Sequence, residues 1–302
     1  MTLRRWGWAL LTAAGLLEGC GTLTPPAETI VDAASGRPIS RTELLQVLRA
    51  ADFVLLGEQH DNPRHHVLRG ELLAALGATQ ANTSPPPAIV AEHLDRGRPV
   101  TFGKDVLSSL QGAGFDATGW EWPLHEPLFA AVARAGLPLT GGNAPRDIVR
   151  HVAREGLAAA PTELRPLLDA APLAPAAQAA LDQDLVDGHC GRLPGTRLPG
   201  MRAAQRVRDA AMWLTLREAG TRPAVLLAGN GHVRRDYGVP QIAAALQPQA
   251  RVISVGFAEF GMPVEPRTHH YVWTTARAER EDPCAHMPAI GPAAPASAAA
   301  GR

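Results

Sequence analysis

Two stretches of this chain, far apart in sequence, end in the same way. Phe53-Val54-Leu55-Leu56 runs into Gly57-Glu58-Gln59-His60, and Ala224-Val225-Leu226-Leu227-Ala228 runs into Gly229-Asn230-Gly231-His232. A short, continuous apolar run rich in β-formers is how a strand buried on both faces reads, and such strands belong to parallel sheets. The glycine lets the backbone turn where the strand stops. In open α/β sheets, ligands bind beyond the carboxyl ends of the strands. The repeated pattern therefore aims two histidines, His60 and His232, at one ligand-binding edge.

Similar runs at 88–91, 137–140 and 251–257 alternate with helical stretches at 41–50, 64–76, 127–135, 202–219 and 240–246. Ser40 and Glu43 make a capping box at the start of the first helix. A segment at 271–274 reads as a hairpin-like edge partner of the strand before it. This alternation predicts an α/β fold, a mostly parallel sheet flanked by helices. No strand signal interrupts residues 144–200, which read as a helical insert. The expected organisation is a signal segment over 1–20, a tether over 21–40, a core over 41–143 and 201–275, the insert over 144–200, and a tail over 276–302. Beyond residue 288 the tail is Pro- and Ala-rich and is expected to be disordered. There is no GxGxxG after the first core strand, no P-loop and no GxSxG elbow, which argues against those nucleotide and hydrolase classes.

With 46% hydrophobic and 19% charged residues, the 302-residue chain can bury a sizeable core. Its 29 basic and 29 acidic residues cancel, which argues against a nucleic-acid partner or a polybasic membrane surface. Arg4 and Arg5 precede an apolar stretch from Trp6 to Leu17 that is too short to span a bilayer and reads as a signal peptide. Leu17-Glu18-Gly19-Cys20 resembles a bacterial lipobox, although Glu18 is unusual there. The resemblance predicts a lipid on Cys20, an extracytoplasmic protein anchored in a membrane and, with Gly21 after the cysteine, the outer membrane as destination. That leaves Cys190 and Cys284 as an even set in an oxidising compartment, so a disulfide between them is expected.

Several residue clusters have the chemistry of a site. Glu58, His60, His65 and His66 offer a carboxylate and imidazoles to a metal or polar ligand. His65 and His66 open a helix, where the dipole favours the neutral imidazole. Glu92 and His93 end the second core strand, and Arg146 at the end of the third is a partner for Glu92. Gln205, Arg206 and Asp209 share one side of the long helix. Tyr237 is one of two tyrosines in the chain, the other being Tyr271. Tyrosine and histidine both serve as axial ligands of haem iron. Arg234 and Arg235 suit haem propionates or face water. The structural alternative is that these polar strand ends only hold the sheet rim together.

Taken together the motifs resemble the ChaN-like family of iron-regulated lipoproteins, within the haem-binding uptake, Tiki-like superfamily. The resemblance rests on Val54 to Asn62 with His65-His66, Ala91-Glu92-His93-Leu94-Asp95, Asn143-Ala144-Pro145-Arg146, His189-Cys190-Gly191, Gln205 with Arg208 to Met212, and Gly229 to His232 with Gly238-Val239-Pro240. It spans about residues 45–275. His93 stands where the family motif often has Met. The resemblance implies an α/β core with a helical subdomain, and haem binding in the service of haem or iron uptake, with a homodimer closing around haem. Haem ligation by tyrosine in a member of the family points to Tyr237, with His60, His232, His65, His66, Arg146 and Arg234 around it. Relatives in the wider superfamily, Tiki proteases and erythromycin esterases, imply an alternative. This is a metal-dependent hydrolase with Glu58, His60, Glu92 and His232 as its centre and Glu58, His60 and His232 as ligands of a divalent metal.

Overall fold

The computed structural model describes residues 28–78, 85–262 and 267–285. The expected signal segment, Cys20, most of the expected tether and the tail beyond 285 lie outside the described residues. Within them one sheet contains β1 (Thr29–Asp32), β2 (Pro38–Ile39), β3 (Phe53–Leu56), β4 (Ala88–Asp95), β5 (Pro99–Val100), β6 (Leu139–Asn143), β7 (Ala224–Leu227), β8 (Val252–Glu259) and β9 (Tyr271–Thr275). The helices are α1 (Arg41–Arg49), α2 (Pro63–Ala78), α3 (Val106–Gly112), α4 (Glu126–Arg134), α5 (Arg146–Glu155), α6 (Arg165–Ala170), α7 (Pro175–Gly188), α8 (Leu198–Glu218) and α9 (Val239–Leu246).

The strand order is β2-β1-β9-β8-β3-β7-β4-β6-β5. The six from β9 to β6 are mutually parallel, and β1, β2 and β5 add antiparallel edges. The two strands that carry the Gly-x-x-His ends, β3 and β7, lie side by side in the middle, with Leu56 opposite Leu227.

Their apolar runs are continuous, but successive side chains still alternate between faces. Val54 and Leu56 of β3, Val225 and Leu227 of β7, and Ile89 and Ala91 of β4 join the core beneath α1, α2 and α4. Phe53, Leu55, Leu226 and Val90 join the core on the other face, with α5, α6, α8 and α9. Burial on both faces explains why no polar alternation was visible in the sequence. Helix α1 starts as its capping box predicts, with the Glu43 amide donating to Ser40 Oγ at 3.2 Å and the Ser40 amide to Glu43 at 2.7 Å.

Four local expectations are corrected. β9 is not a hairpin partner of β8 but runs parallel to it. Residues 29–32 and 38–39, expected within the tether, are strands, because β9 offers β1 a partner that lies far away in sequence. Gly141 and Gly142, beyond the expected run at 137–140, belong to β6. A Cβ at 141 would collide with the Asp95 carbonyl and one at 142 with Val90, so close backbone approach requires glycine inside the strand. Strand β4 continues past Ala91 to Asp95, which places Glu92 and His93 within it.

From β6 to α8 the described chain holds only helices and turns, and α5 packs along α8. The expected disulfide between Cys190 and Cys284 is present, with Cα atoms 5.6 Å apart. No helix among the described residues is long and apolar enough to cross a membrane.

Candidate functional site

The period-2 alternation continues past the ends of the apolar runs and divides the polar residues into two groups. Glu58 and His93 fall on the face covered by α2 and α4. Glu92 falls on the face covered by α8.

On the first face Glu58 is fully buried and meets α2. Its Oε2 lies 3.0 Å from His66 Nδ1 and against the Arg69 guanidinium. Its Oε1 lies 2.7 Å from His60 Nδ1, 3.5 Å from His93 Nε2 and 3.7 Å from His125 Nε2. Arg69 is inaccessible to solvent, and its burial brings the guanidinium pKa down to about 9. His93 and His125 are buried against Trp120, and both nitrogens of each ring lack a hydrogen-bond partner. Burial, and then the Arg69 guanidinium beside His93 and the His93 ring beside His125, push both imidazoles well down from their usual value. One donor atom each from Glu58, His60 and His125 lie within 4.8 Å of one another, a spacing that would fit a metal ion.

On the second face His232 sits between two carboxylates, its Nδ1 2.6 Å from Asp209 Oδ1 and its Nε2 3.2 Å from Glu92 Oε1. The Gly229 amide donates to Glu92 Oε2 at 2.8 Å, and Gln205 lies against the ring. Burial disfavours the imidazolium, but Glu92 and Asp209 outweigh it and push the pKa up to about 10. Burial likewise opposes ionisation of Glu92, and His232 overrides it, holding that carboxyl well below its usual range. His232 is thus a buried cation with both nitrogens occupied.

Between the two groups lies His60. Its side chain is 48% exposed, and it is the one exposed ionisable side chain of the two groups. A Cβ on Gly229 would be 2.8 Å from its Nε2 and 3.8 Å from Glu92 Oε2, so the glycine of the second motif makes room for the histidine of the first.

Other expected site residues lie elsewhere. His65 is buried beneath the loop. Its Nδ1 accepts the Gln59 amide at 3.1 Å, and its Nε2 meets Thr275 Oγ1 at 3.0 Å. His66 is also buried; its Nε2 donates to the His60 carbonyl at 2.9 Å. Burial, more than any helix dipole, takes both imidazoles down to about 4. Arg146 is exposed at the start of α5 and does not hold Glu92, because His232 and the Gly229 amide do. Arg234 is mostly buried, paired with Asp184 at 3.1 Å and Asp236 at 2.7 Å, and its guanidinium lies 4.7 Å over the Tyr237 ring. Tyr237 is 1% exposed, and its hydroxyl donates to Asp184. Burial and then the Asp184 carboxylate push that phenol up, away from the phenolate.

Arg69, His125, Trp120 and Asp184 escaped the sequence reading. Arg69 left a trace, a cation amid the buried Leu68, Leu72 and Leu73 of α2. His125 left none, since the aromatic turn before it reads only as a loop.

The family described as haem-binding uptake, Tiki superfamily, ChaN matches residues 44–242. The chain belongs to this family. A solved structure described as cofacial haem binding to ChaN of Campylobacter jejuni matches with a TM-score of 0.69 at 18% identity, covering 83% of this chain and 97% of that one, so the two share a fold. The type III effector HopBA1 matches with a TM-score of 0.42 at 12% identity, over 78% of this chain and 92% of that one. An erythromycin esterase, EreC, in its open conformation matches with a TM-score of 0.40 at 14% identity, over 85% of each chain. No curated protein sequence matches this chain.

Proposed function

We propose that this ChaN-family chain binds haem at the carboxyl edge of its sheet. We further propose that it serves haem or iron uptake as an extracytoplasmic lipoprotein, anchored through Cys20, with the outer membrane as its destination. The observation that carries the haem reading is family membership joined to the His60 geometry. One half-exposed imidazole sits at the edge beside the Trp120 indole, with its rings 5.1 Å apart, and its Nδ1 is already engaged by Glu58. Those residues fit haem, which needs an accessible donor for iron and an apolar wall for the porphyrin. Haem brings an iron centre, and the chain supplies the ligand and excludes water from one side of it. A second copy of the chain facing the first across haem accords with the cofacial haems of the Campylobacter jejuni protein.

Titrating hemin into the tagless chain tests this. A saturable Soret change is expected, and a Soret band identical to that of free hemin at every protein concentration would reject haem binding. The anchor is tested separately, by metabolic labelling with a radioactive fatty acid in wild type and Cys20→Ser; label retained in the variant would reject it.

A second reading, a metal-dependent hydrolase, is favoured by the spacing of Glu58, His60 and His125 and by the unpartnered rings of His93 and His125. It replaces His232 by His125 in the ligand set, since both nitrogens of His232 are held by carboxylates. A divalent cation there would polarise a bound water. Elemental analysis of the purified chain discriminates: stoichiometric zinc or manganese without hemin affinity would favour the enzyme.

A further inference from the structure

We propose that His60, through Nε2, is the residue that ligates haem iron in this chain, in place of the tyrosine that the resemblance to its family suggested. This rests on the haem reading and goes beyond it by naming the ligating atom.

The whole chain contains two tyrosines. Tyr237 is walled in, with its hydroxyl given to Asp184 and the face of its ring covered by Arg234. To reach iron it would have to break both contacts and leave two aspartates, Asp184 and Asp236, around a guanidinium that now links them. Tyr271 lies in β9, between β1 and β8, with its ring packed on the core. The Tyr237 hydroxyl lies near Gly231 beyond β7 but is buried and engaged, and Tyr271 stands at the amino end of its strand.

Among the described residues, His151 in α5 and His189 just after α7 stand outside both polar groups, His269 is buried, and His270 bonds Ser254. His65, His66, His93, His125 and His232 are buried. Cys190 and Cys284 are joined to each other. Met262, 39% exposed, has its sulfur accepting a hydrogen bond from the Gln59 amide group at 2.9 Å. His60 combines exposure with an unengaged nitrogen.

Its surroundings also suit the task. A carboxylate can only accept, so Glu58 fixes the His60 proton on Nδ1 and leaves the lone pair on Nε2. A carboxylate behind a ligating imidazole orients the ring and raises its basicity. Glu58 is itself anchored by buried Arg69. Glycine at 229 puts no Cβ against Nε2, where any side chain would press on it.

The test is spectroscopic and uses the whole chain with hemin. The reduced wild-type complex is expected to show an iron–histidine stretching band in resonance Raman spectra. His60→Ala should lose that band and weaken hemin binding about 10-fold or more, and added free imidazole should restore a histidine-type spectrum. Tyr237→Phe and Met262→Leu should leave the band in place. A tyrosinate spectrum in wild type that disappears in Tyr237→Phe would overturn the assignment, as would a histidine band that survives His60→Ala or depends on Met262. A wild-type chain that gives no Soret change at all would reject the haem reading itself and is distinguishable from each of these results.

Discussion

The ends of β3 and β7 carry the same Gly-x-x-His pattern and lie side by side, yet their histidines are put to opposite uses. His60 is half exposed, held by one carboxylate through one nitrogen. His232 is buried, charged and held by two carboxylates through both. The difference comes from what each strand end leads into. After β3 the chain enters α2 through Pro63, and the loop leaves His60 at the surface while Glu58 turns inward to Arg69. After β7 a 3-10 turn over Asn230–Val233 folds His232 back beneath α8, where Asp209 waits. A shared motif fixes where a histidine starts and leaves its burial to the neighbours. On the proposed reading, one end of the central pair holds the sheet and the other meets a ligand.

The largest effect that would break this division is expected at the shared foundation. Arg69→Ala leaves Glu58 buried without its cation and should cost about 3–5 kcal/mol of stability, measurable by urea unfolding. A loss below about 1 kcal/mol would mean that Glu58 is not held as described.

His232→Gln leaves Glu92 and Asp209 buried without a charge between them and should cost on the order of 3 kcal/mol. The folded fraction should keep its hemin affinity. A loss of affinity with unchanged stability would reverse the roles of the two ends.

The two regions also separate by pH. His232 has a folded pKa of about 10, above its value of 6.5 in the unfolded chain, so its stabilisation is complete below about pH 6.5 and is lost as pH rises through 10. His65 and His66 have folded values of about 4, below 6.5, so the unfolded chain takes up protons first and stability falls as pH drops from 6.5 towards 4. Unfolding midpoints should therefore peak near pH 6.5, and His232→Gln should flatten the alkaline side. An alkaline limb unchanged in that variant would remove the charged His232 from the account.

The smallest effect on stability is expected at Gly229→Ala. The new methyl meets the end of a half-exposed side chain, which can swing away, so stability should change by less than about 1 kcal/mol while hemin affinity falls. Unchanged affinity in a fluorescence-quenching titration would mean that the position of His60 over residue 229 is irrelevant to the ligand.

Much of the fold was legible because its central strands are buried on both faces and read as apolar runs. The disulfide was legible by counting, once Cys20 was set aside for lipid. β1 and β2 were not, because short strands among turn residues depend on β9, some 240 residues later. In the site, Glu58, His60, Glu92 and His232 could be read from strand ends. Their division between two faces follows from β alternation, which an apolar run hides until its polar end. Arg69 was obscured because a cation in a helix usually marks the solvent side, and Asp184 because the helix that carries it gives no sign of packing against Tyr237.

The division between the two strand ends is tested most directly by thermal unfolding of His60→Ala and His232→Gln with and without hemin, followed by circular dichroism. A ligand that binds only the folded chain raises its midpoint. His60→Ala should unfold at the wild-type midpoint without hemin and gain little from it. His232→Gln should unfold earlier and gain as much as wild type. A hemin-dependent gain that survives His60→Ala and vanishes in His232→Gln would contradict that division.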